Sequence, residues 1–409
     1  MKHSDDLRHL ADCPSCRQRF AENVVPFDAA RRHEGALKFA AAAARLEIER
    51  GETADVAARQ LRDTPQSEWP RLAGSKALHN NAALEQLSDE VRKRLERNPT
   101  EALAIANLAA SIAESISNTY PPLVIAQIRS TALRDRANAL RYLGRLDEAY
   151  DSIETAELRL NEFPAAVHDR AIVWFVKAMI LAQMDHFDAA EKFINAASVI
   201  FADVNDSARF LQAGVIHGNL FGRQQRYEEA ENIFRDLLNI AVSRGDAETE
   251  ARLHNNLGYC YVNLGDYPKA NIHFSQSIAK FTDLGFASEL ARTGRGAGAV
   301  LIGKGQFELG CDRLRQARTA FAKLRMPEEA GLCALRIIEA MVERGQTDEA
   351  RGLAATVINE FTAAALDTRA IDAVIRLRTS LDADGATAEA VRTVHALVQS
   401  FALDESRAS

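Results

Sequence analysis

The residues best suited to chemistry stand at the start of the chain, in MKHSDDLRHLADCPSC. His9, Cys13 and Cys16 follow an H-x3-C-x2-C spacing. On a helix His9 and Cys13, at i and i+4, share one face. Pro14 ends that turn, and the CPSC knuckle returns Cys16 to the same point. Zn²⁺ takes four nitrogen or sulfur ligands in a tetrahedron, and this pattern supplies three. His3 is the first candidate for the fourth, with Asp5, Asp6 or His33 behind it. Zn²⁺ is therefore the expected cofactor. The alternatives are a vestigial site and a redox-active dithiol, which wants a thioredoxin-like βαβ context that the sequence does not offer.

Elsewhere the reactive residue types do not converge. Gly298-x4-Gly303-Lys304-Gly305 nearly spells a P-loop, but it lacks the Ser/Thr that binds Mg²⁺ and has no strand before it. Asn205-Asp206-Ser207 spells a glycosylation sequon and reads as a loop. His217, His254 and His273 have no paired Ser, Cys or carboxylate pattern, so they read as packing or groove residues. With no acid/base or nucleophile set in view, the sequence argues against an enzyme.

The elements that must position these residues come from a soluble, core-forming chain. Of 409 residues 47% are hydrophobic and 26% charged, which excludes a mainly disordered protein. Lys and Arg number 50 against 57 Asp and Glu, a net charge of −7, which argues against direct nucleic-acid binding. The best apolar run, Ala171–Ala182, contains Lys177 and falls short of the ~18 residues of a membrane span. The charged N-terminus does not read as a signal peptide. Cys260, Cys311 and Cys333 lie in helical patterns as small core residues, and five cysteines are no disulfide framework. The expected location is cytoplasmic.

A repeat decides the architecture. Ala190, Ala230, Ala270, Gly310, Ala350 and Ala390 are spaced by 40, and Ala149 precedes Ala190 by 41. Five residues before each stands a turn position: Gly144, Asp185, Gln225, Gly265, Gly305, Gly345 and Gly385. In the clearest unit Leu253, Leu257, Tyr261 and Leu264 form one helix face. Gly265 breaks that helix, and Tyr267, Ala270, Phe274 and Ile278 begin a second. The small residue lets the two helices approach closely.

LGYCYVNLGDYPKANIHF resembles a tetratricopeptide repeat, with Leu257, Gly258, Tyr261, Gly265, Tyr267, Ala270 and Phe274 at the signature spacings, Trp174 at the tryptophan position and Gly218 at the glycine position of other units. The resemblance implies an all-α, right-handed superhelical solenoid of helical hairpins. Seven 40-residue repeats then occupy residues 130–403. Residues 21–129 read as degenerate helix pairs capping that solenoid, 1–20 as a zinc-finger-like segment and 404–409 as a disordered tail. HLADCPSCRQRF is similar to the zinc-binding anti-sigma factors, which implies a sigma factor as partner. The finger-plus-repeat combination is also similar to a group of soil-bacterial tetratricopeptide-repeat proteins.

In the tetratricopeptide family the second, fifth, ninth, twelfth and thirteenth residues of each first helix line the concave face. With units beginning at Ser130, Ala171, Leu211, Ala251, Ala291, Gly331 and Ile371, the resemblance places Arg134, Asn138, Asn219, Arg252, Asn255, Tyr259, Arg292 and Arg295 there. Asn256 and Arg336 fall at its edge. Glu339 and Glu343 are the clear carboxylates of this lining, so it reads as basic and amide-rich, suited to an acidic segment of a protein partner. The leading functional reading is a non-enzymatic scaffold or regulator that binds a peptide or protein. The alternatives are a zinc- or thiol-dependent sensor working through His9, Cys13 and Cys16, and, last, an enzyme.

Overall fold

Left-handed backbone recurs at Asp185, Asn205, Gln225, Gly245, Gly265, Gly285, Gly305, Arg325 and Gly345, one residue every 20. This punctuation divides the chain into helices of nearly equal length. In the computed structural model, residues 55–405 are described, except 96–97, 117–119, 365, 367 and 384. The segment carrying His3, His9, Cys13 and Cys16, and the tail 406–409, lie outside the described residues.

The turn at Gly265 shows how a local sequence sets the period. The Gly265 N–H donates to Val262 O at 3.1 Å and the Asp266 N–H to Tyr261 O at 2.9 Å, which satisfies carbonyls at the end of the first helix. The Asp266 side chain then accepts from Lys269 N at 3.2 Å and caps the next helix. Asp206 and Asp246 repeat the arrangement, accepting from Arg209 N and Thr249 N. Three turn residues serve two helix ends, so a 17-residue helix gives a 20-residue step.

The described residues form two compact units, one extending to Ile200 and the other beginning at Phe201. The first contains α1 (Val56–Asp63), a 3-10 segment (Gln66–Gly74), α2 (Asn81–Arg94), α3 (Pro99–Ser115), α4 (Pro122–Tyr142), α5 (Leu146–Asn161) and α6 (Val167–Gln183). Its core runs through Leu87, Ile105, Ile112, Leu140, Ile153 and Leu160, all fully buried. Lys177, inside the apolar run of α6, is buried against Glu154 and Glu157, with Nζ 4.4 Å from the Phe193 ring centre. Burial works against its charge, and the hydrogen bonds it donates to both glutamates more than reverse this and raise its pKa. Trp174 donates to the same Glu157 at 2.7 Å.

The boundary between units falls within α7 (Phe187–Asp203). The second unit continues with α8 (Ser207–Arg223), α9 (Tyr227–Arg244), α10 (Ala247–Asn263), α11 (Tyr267–Leu284), α12 (Ala287–Gly303), α13 (Phe307–Lys323), α14 (Pro327–Glu343), α15 (Thr347–Ala363), α16 (Thr368–Asp382) and α17 (Ala388–Glu405). Phe281, Phe321 and Phe361, spaced by 40, are fully buried at the ends of second helices. The small positions do what close packing requires. Ala230, Ala270 and Ala350 are fully buried. A Cβ on Gly310 would lie 2.9 Å from the carbonyl oxygen of Gly298.

Two expectations need correction. First helices start a turn earlier than the units assumed, at Ser207, Ala247, Ala287 and Pro327 rather than Leu211, Ala251, Ala291 and Gly331. Six of the seven turn positions are left-handed, but Gly385 is not. The chain still turns there, between Asp382 and Ala388, and α17 packs on its neighbour α16 but more extensively on α14.

Candidate functional site on the first-helix face

The extra turn at the start of each first helix brings carboxylates onto the face that the sequence reading left basic. Glu289 stands in the first turn of α12 and Glu329 in that of α14, where unpaired backbone N–H groups favour negative charge. Arg252 of α10 donates from Nη1 to Glu289 Oε1 at 2.9 Å and contacts Glu248 at 3.2 Å. Arg292 reaches Glu289 at 3.2 Å and Glu329 at 2.9 Å. Arg295 donates to the other oxygen of Glu329. Arg336 pairs with Glu339 at 2.9 Å. The arginines thus form a ladder from repeat to repeat whose charges cancel within the chain.

Glu329 is the buried centre of this ladder. Burial raises its pKa, but Arg295 and Arg292 outweigh that and hold the carboxyl below the usual range. Arg295 shows the converse: burial disfavours its charge, and Glu329 more than restores it. A stripe of this kind orders neighbouring repeats and leaves little net positive charge for an acidic ligand. The expectation of an acidic partner segment therefore loses its basis.

The amide part of the lining is less committed. Asn256 Nδ2 donates to Asn219 Oδ1 across 3.4 Å, joining α10 to α8, and Asn255 Nδ2 donates to Asn256 Oδ1 at 3.5 Å. Oδ1 of Asn255 is buried and accepts no hydrogen bond from the described residues. Tyr259 donates to the backbone carbonyl of Arg292 at 3.1 Å and sets its ring edge-on to Phe274. Asn219, Arg252, Asn255, Asn256, Tyr259, Arg292 and Arg295 therefore share one face of the second unit.

Arg134 and Asn138 belong to the first unit. Arg134 pairs with the adjacent Asp135 at 2.7 Å and lines a cavity of about 470 Å³ bounded by α2, α3 and α4. Asn138 accepts two hydrogen bonds from Arg141, at 3.0 and 2.8 Å.

The remaining candidates resolve into packing. Gly298 lies on α12, with Leu314 2.8 Å from where its Cβ would stand, so the glycine-rich stretch is helix rather than phosphate loop. Cys260, Cys311 and Cys333 are buried, and burial pushes the Cys260 and Cys333 thiols up to about 12. His254 Nδ1 lies 2.9 Å from His273 Nδ1, and burial, with the second ring beside it, lowers the His254 pKa to about 4. Among the described residues no group of three or more His, Cys, Asp or Glu is placed to hold a metal ion. None of their helices is long and apolar enough to cross a membrane.

Sequence and structure comparisons agree with this geometry. Residues 215–283 match the tetratricopeptide repeat family. No curated protein matches the sequence. The fold is similar to the signal transduction ATPase with numerous domains and a tetratricopeptide repeat sensor from Pyrococcus horikoshii, with a TM-score of 0.56 and 12% identity over 99% of this chain and 63% of that one. It is also similar to aspartyl phosphate phosphatase F from Bacillus subtilis, with a TM-score of 0.56 and 11% identity over 87% of this chain and 92% of that one. The apo quorum sensor NprR from B. thuringiensis gives a TM-score of 0.53 at 14% identity over 82% and 98%. At these identities the likeness concerns fold alone. The tetratricopeptide match lies on residues 215–283, and the same 20-residue punctuation runs beyond them, from Asp185 to Gly345.

Proposed function

We propose that the protein is a non-enzymatic, cytoplasmic scaffold or regulator that binds a peptide or protein segment on the first-helix face of its second unit. The observation that carries this reading is the amide row Asn219, Asn256 and Asn255, joined only by long hydrogen bonds of 3.4 and 3.5 Å. Amide side chains can pair with both the N–H and the C=O of an extended backbone. Recognition on this face would rest on backbone hydrogen bonds and the Tyr259 ring, with the arginine ladder as its frame.

The test uses a partner captured by the full chain and then purified. Asn219→Ala/Asn255→Ala/Asn256→Ala should weaken its binding at least tenfold while leaving helicity unchanged. Moderate salt should change that affinity little, because the charges on this face are already paired. Affinity within twofold of wild type would refute this reading.

The narrower reading, that the partner is a sigma factor and that Zn²⁺ or thiol state controls binding, is supported by the H-x3-C-x2-C spacing of His9, Cys13 and Cys16. Its test is whether Cys13→Ser/Cys16→Ser changes affinity for that partner. A change confined to stability would count against it.

A further inference from the structure

The sixth first helix departs from the two before it. At the second and fifth lining positions α10 carries Arg252 and Asn255, and α12 carries Arg292 and Arg295. In α14 the same positions are Leu332 and Leu335. Every residue of α14 from Glu329 to Ala340 is buried, except Arg336. A helix that is apolar nearly all round must be covered on every side, and α17 covers the first-helix face of this one.

The covering helix is seated like a ligand. Val391 and Val398 of α17 are buried in one cluster with Leu332, Leu335 and Ile338, and Val394 packs against that cluster. Spacing at i, i+3 and i+7 is how an amphipathic helix lies in a groove. On the polar edge Arg392 Nη1 donates to Glu339 Oε1 at 3.0 Å and to Glu343 Oε1 at 3.4 Å. Glu339 and Glu343 are the carboxylates that the sequence reading placed in the lining. One contact is unfinished: His395 is buried, and its Nε2 has no hydrogen-bond partner among the described residues, with the Arg336 and Arg295 charges close by.

We propose that the first-helix face of α14 is a docking site for an amphipathic helix and that α17 occupies it in cis. The outside occupant is a partner helix with aliphatic residues at i, i+3 and i+7 and a basic residue at i+1, which binds by displacing α17. A partner with Gln or Glu at i+4 would also place a hydrogen-bonding group beside Arg336, where His395 leaves one unmade. This site lies on a different repeat from the amide row and is tested with a defined peptide, so either reading can fail alone.

The probe is a fluorescein-labelled peptide of residues 386–405, titrated by anisotropy into the full chain. Wild type should bind it at least tenfold more weakly than Val391→Asp/Val398→Asp, because α17 competes in cis. Adding Glu339→Lys/Glu343→Lys to that variant should weaken binding at least tenfold, and an Arg392→Glu peptide should restore it. Should circular dichroism show that the valine variant loses helicity beyond α17, Arg392→Glu protein replaces it, with tighter peptide binding than wild type again expected. Equal affinity for the closed and opened proteins, or indifference to the Glu339/Glu343 reversal, overturns the proposal. A wild-type dimer by light scattering that dissociates in Val391→Asp/Val398→Asp would assign the site to a second copy of α17 and overturn the partner reading.

Discussion

His254 and His273 face each other across the hairpin of α10 and α11, Nδ1 to Nδ1 at 2.9 Å. One ring must donate to the other, so both cannot be charged. Tyr261 stacks on His273 and donates to Glu231 at 2.6 Å, while Glu250 is held at 2.8 Å by Lys280. Burial and the facing ring lower the His254 pKa from 6.5 to about 4. The unfolded chain therefore binds more protons below about pH 6.5, and stability falls as pH drops from there toward the folded value.

Between pH 7.5 and 5.5 a histidine lowered in this way should cost the protein about 1 kcal/mol. Urea titrations at the two pH values check it. In His254→Asn that share of the pH-dependent loss should vanish. An unchanged slope would show that the pair does not resist protonation.

Glu329 should be the most sensitive ion-pair position. It is buried between Arg292 and Arg295, so Glu329→Gln leaves the Arg295 guanidinium buried and uncompensated. Breaking a buried pair from one side costs about 3–5 kcal/mol, whereas replacing both partners by apolar groups can cost far less. Glu329→Leu/Arg295→Met should thus be more stable than Glu329→Leu alone, and a double-mutant cycle by chemical denaturation reads the difference.

Much of the fold was legible because its signals are periodic. Gly144, Gly265, Gly305 and Gly345 announce turns by residue type, and Ala270 or Ala350 announces close approach by size. In the second set of turns Asn205 reads as a loop and Gly245 and Gly285 carry glycine, but Arg325 takes left-handed backbone with no residue type to mark it. The ion-pair ladder was missed for a related reason. Units counted from Ala291 and Gly331 begin two residues after Glu289 and Glu329, so the face was read with its arginines and without these acids. The seat of α17 had a signal: leucines at 332 and 335, where the two preceding units carry Arg or Asn. Periodicity alone cannot say that a helix from the end of the chain comes back to cover them.

Phe274 should be nearly intolerant of change on either side. A Cβ on Gly258 would stand 2.6 Å from its ring, and one on Gly296 would stand 2.5 Å away. The ring is thus clasped by the first helices of two successive repeats. Alanine is the better helix former by about 1 kcal/mol, yet overpacking of this kind costs about 1–3 kcal/mol. Gly258→Ala should therefore be neutral to destabilising, Gly258→Val clearly destabilising, and Phe274→Ala the worst, at about 3–5 kcal/mol. Thermal melts rank the three. A stabilised Gly258→Val would contradict the packing.

Zinc binding is a separate expectation, carried by sequence spacing alone. Purified protein should contain about one Zn²⁺ per chain, and Cys13→Ser/Cys16→Ser should remove it. Helicity should survive the loss, since repeat stability is a sum of neighbouring interfaces. Elemental analysis and circular dichroism of the double variant check the two halves independently.

The turn residues offer a gain in stability with no contact altered. Arg325 has φ 58° and Gln225 has φ 59°, in the series where Gly305 and Gly345 take 76° and 73°. A left-handed conformation costs a residue with a Cβ about 1–2 kcal/mol, and glycine avoids this at an entropic cost of about 0.5–1 kcal/mol. Arg325→Gly should therefore stabilise by up to about 1 kcal/mol, as should Gln225→Gly. Gly305→Ala, with open space around its missing Cβ, should destabilise by a similar amount through backbone strain alone. The sites are 80 residues apart along the chain in the case of Gln225 and Gly305, so their effects should add within a few tenths of a kcal/mol. Chemical denaturation of the single and combined variants measures this. If Arg325→Gly is destabilised, the guanidinium contributes more to the folded state than its backbone costs.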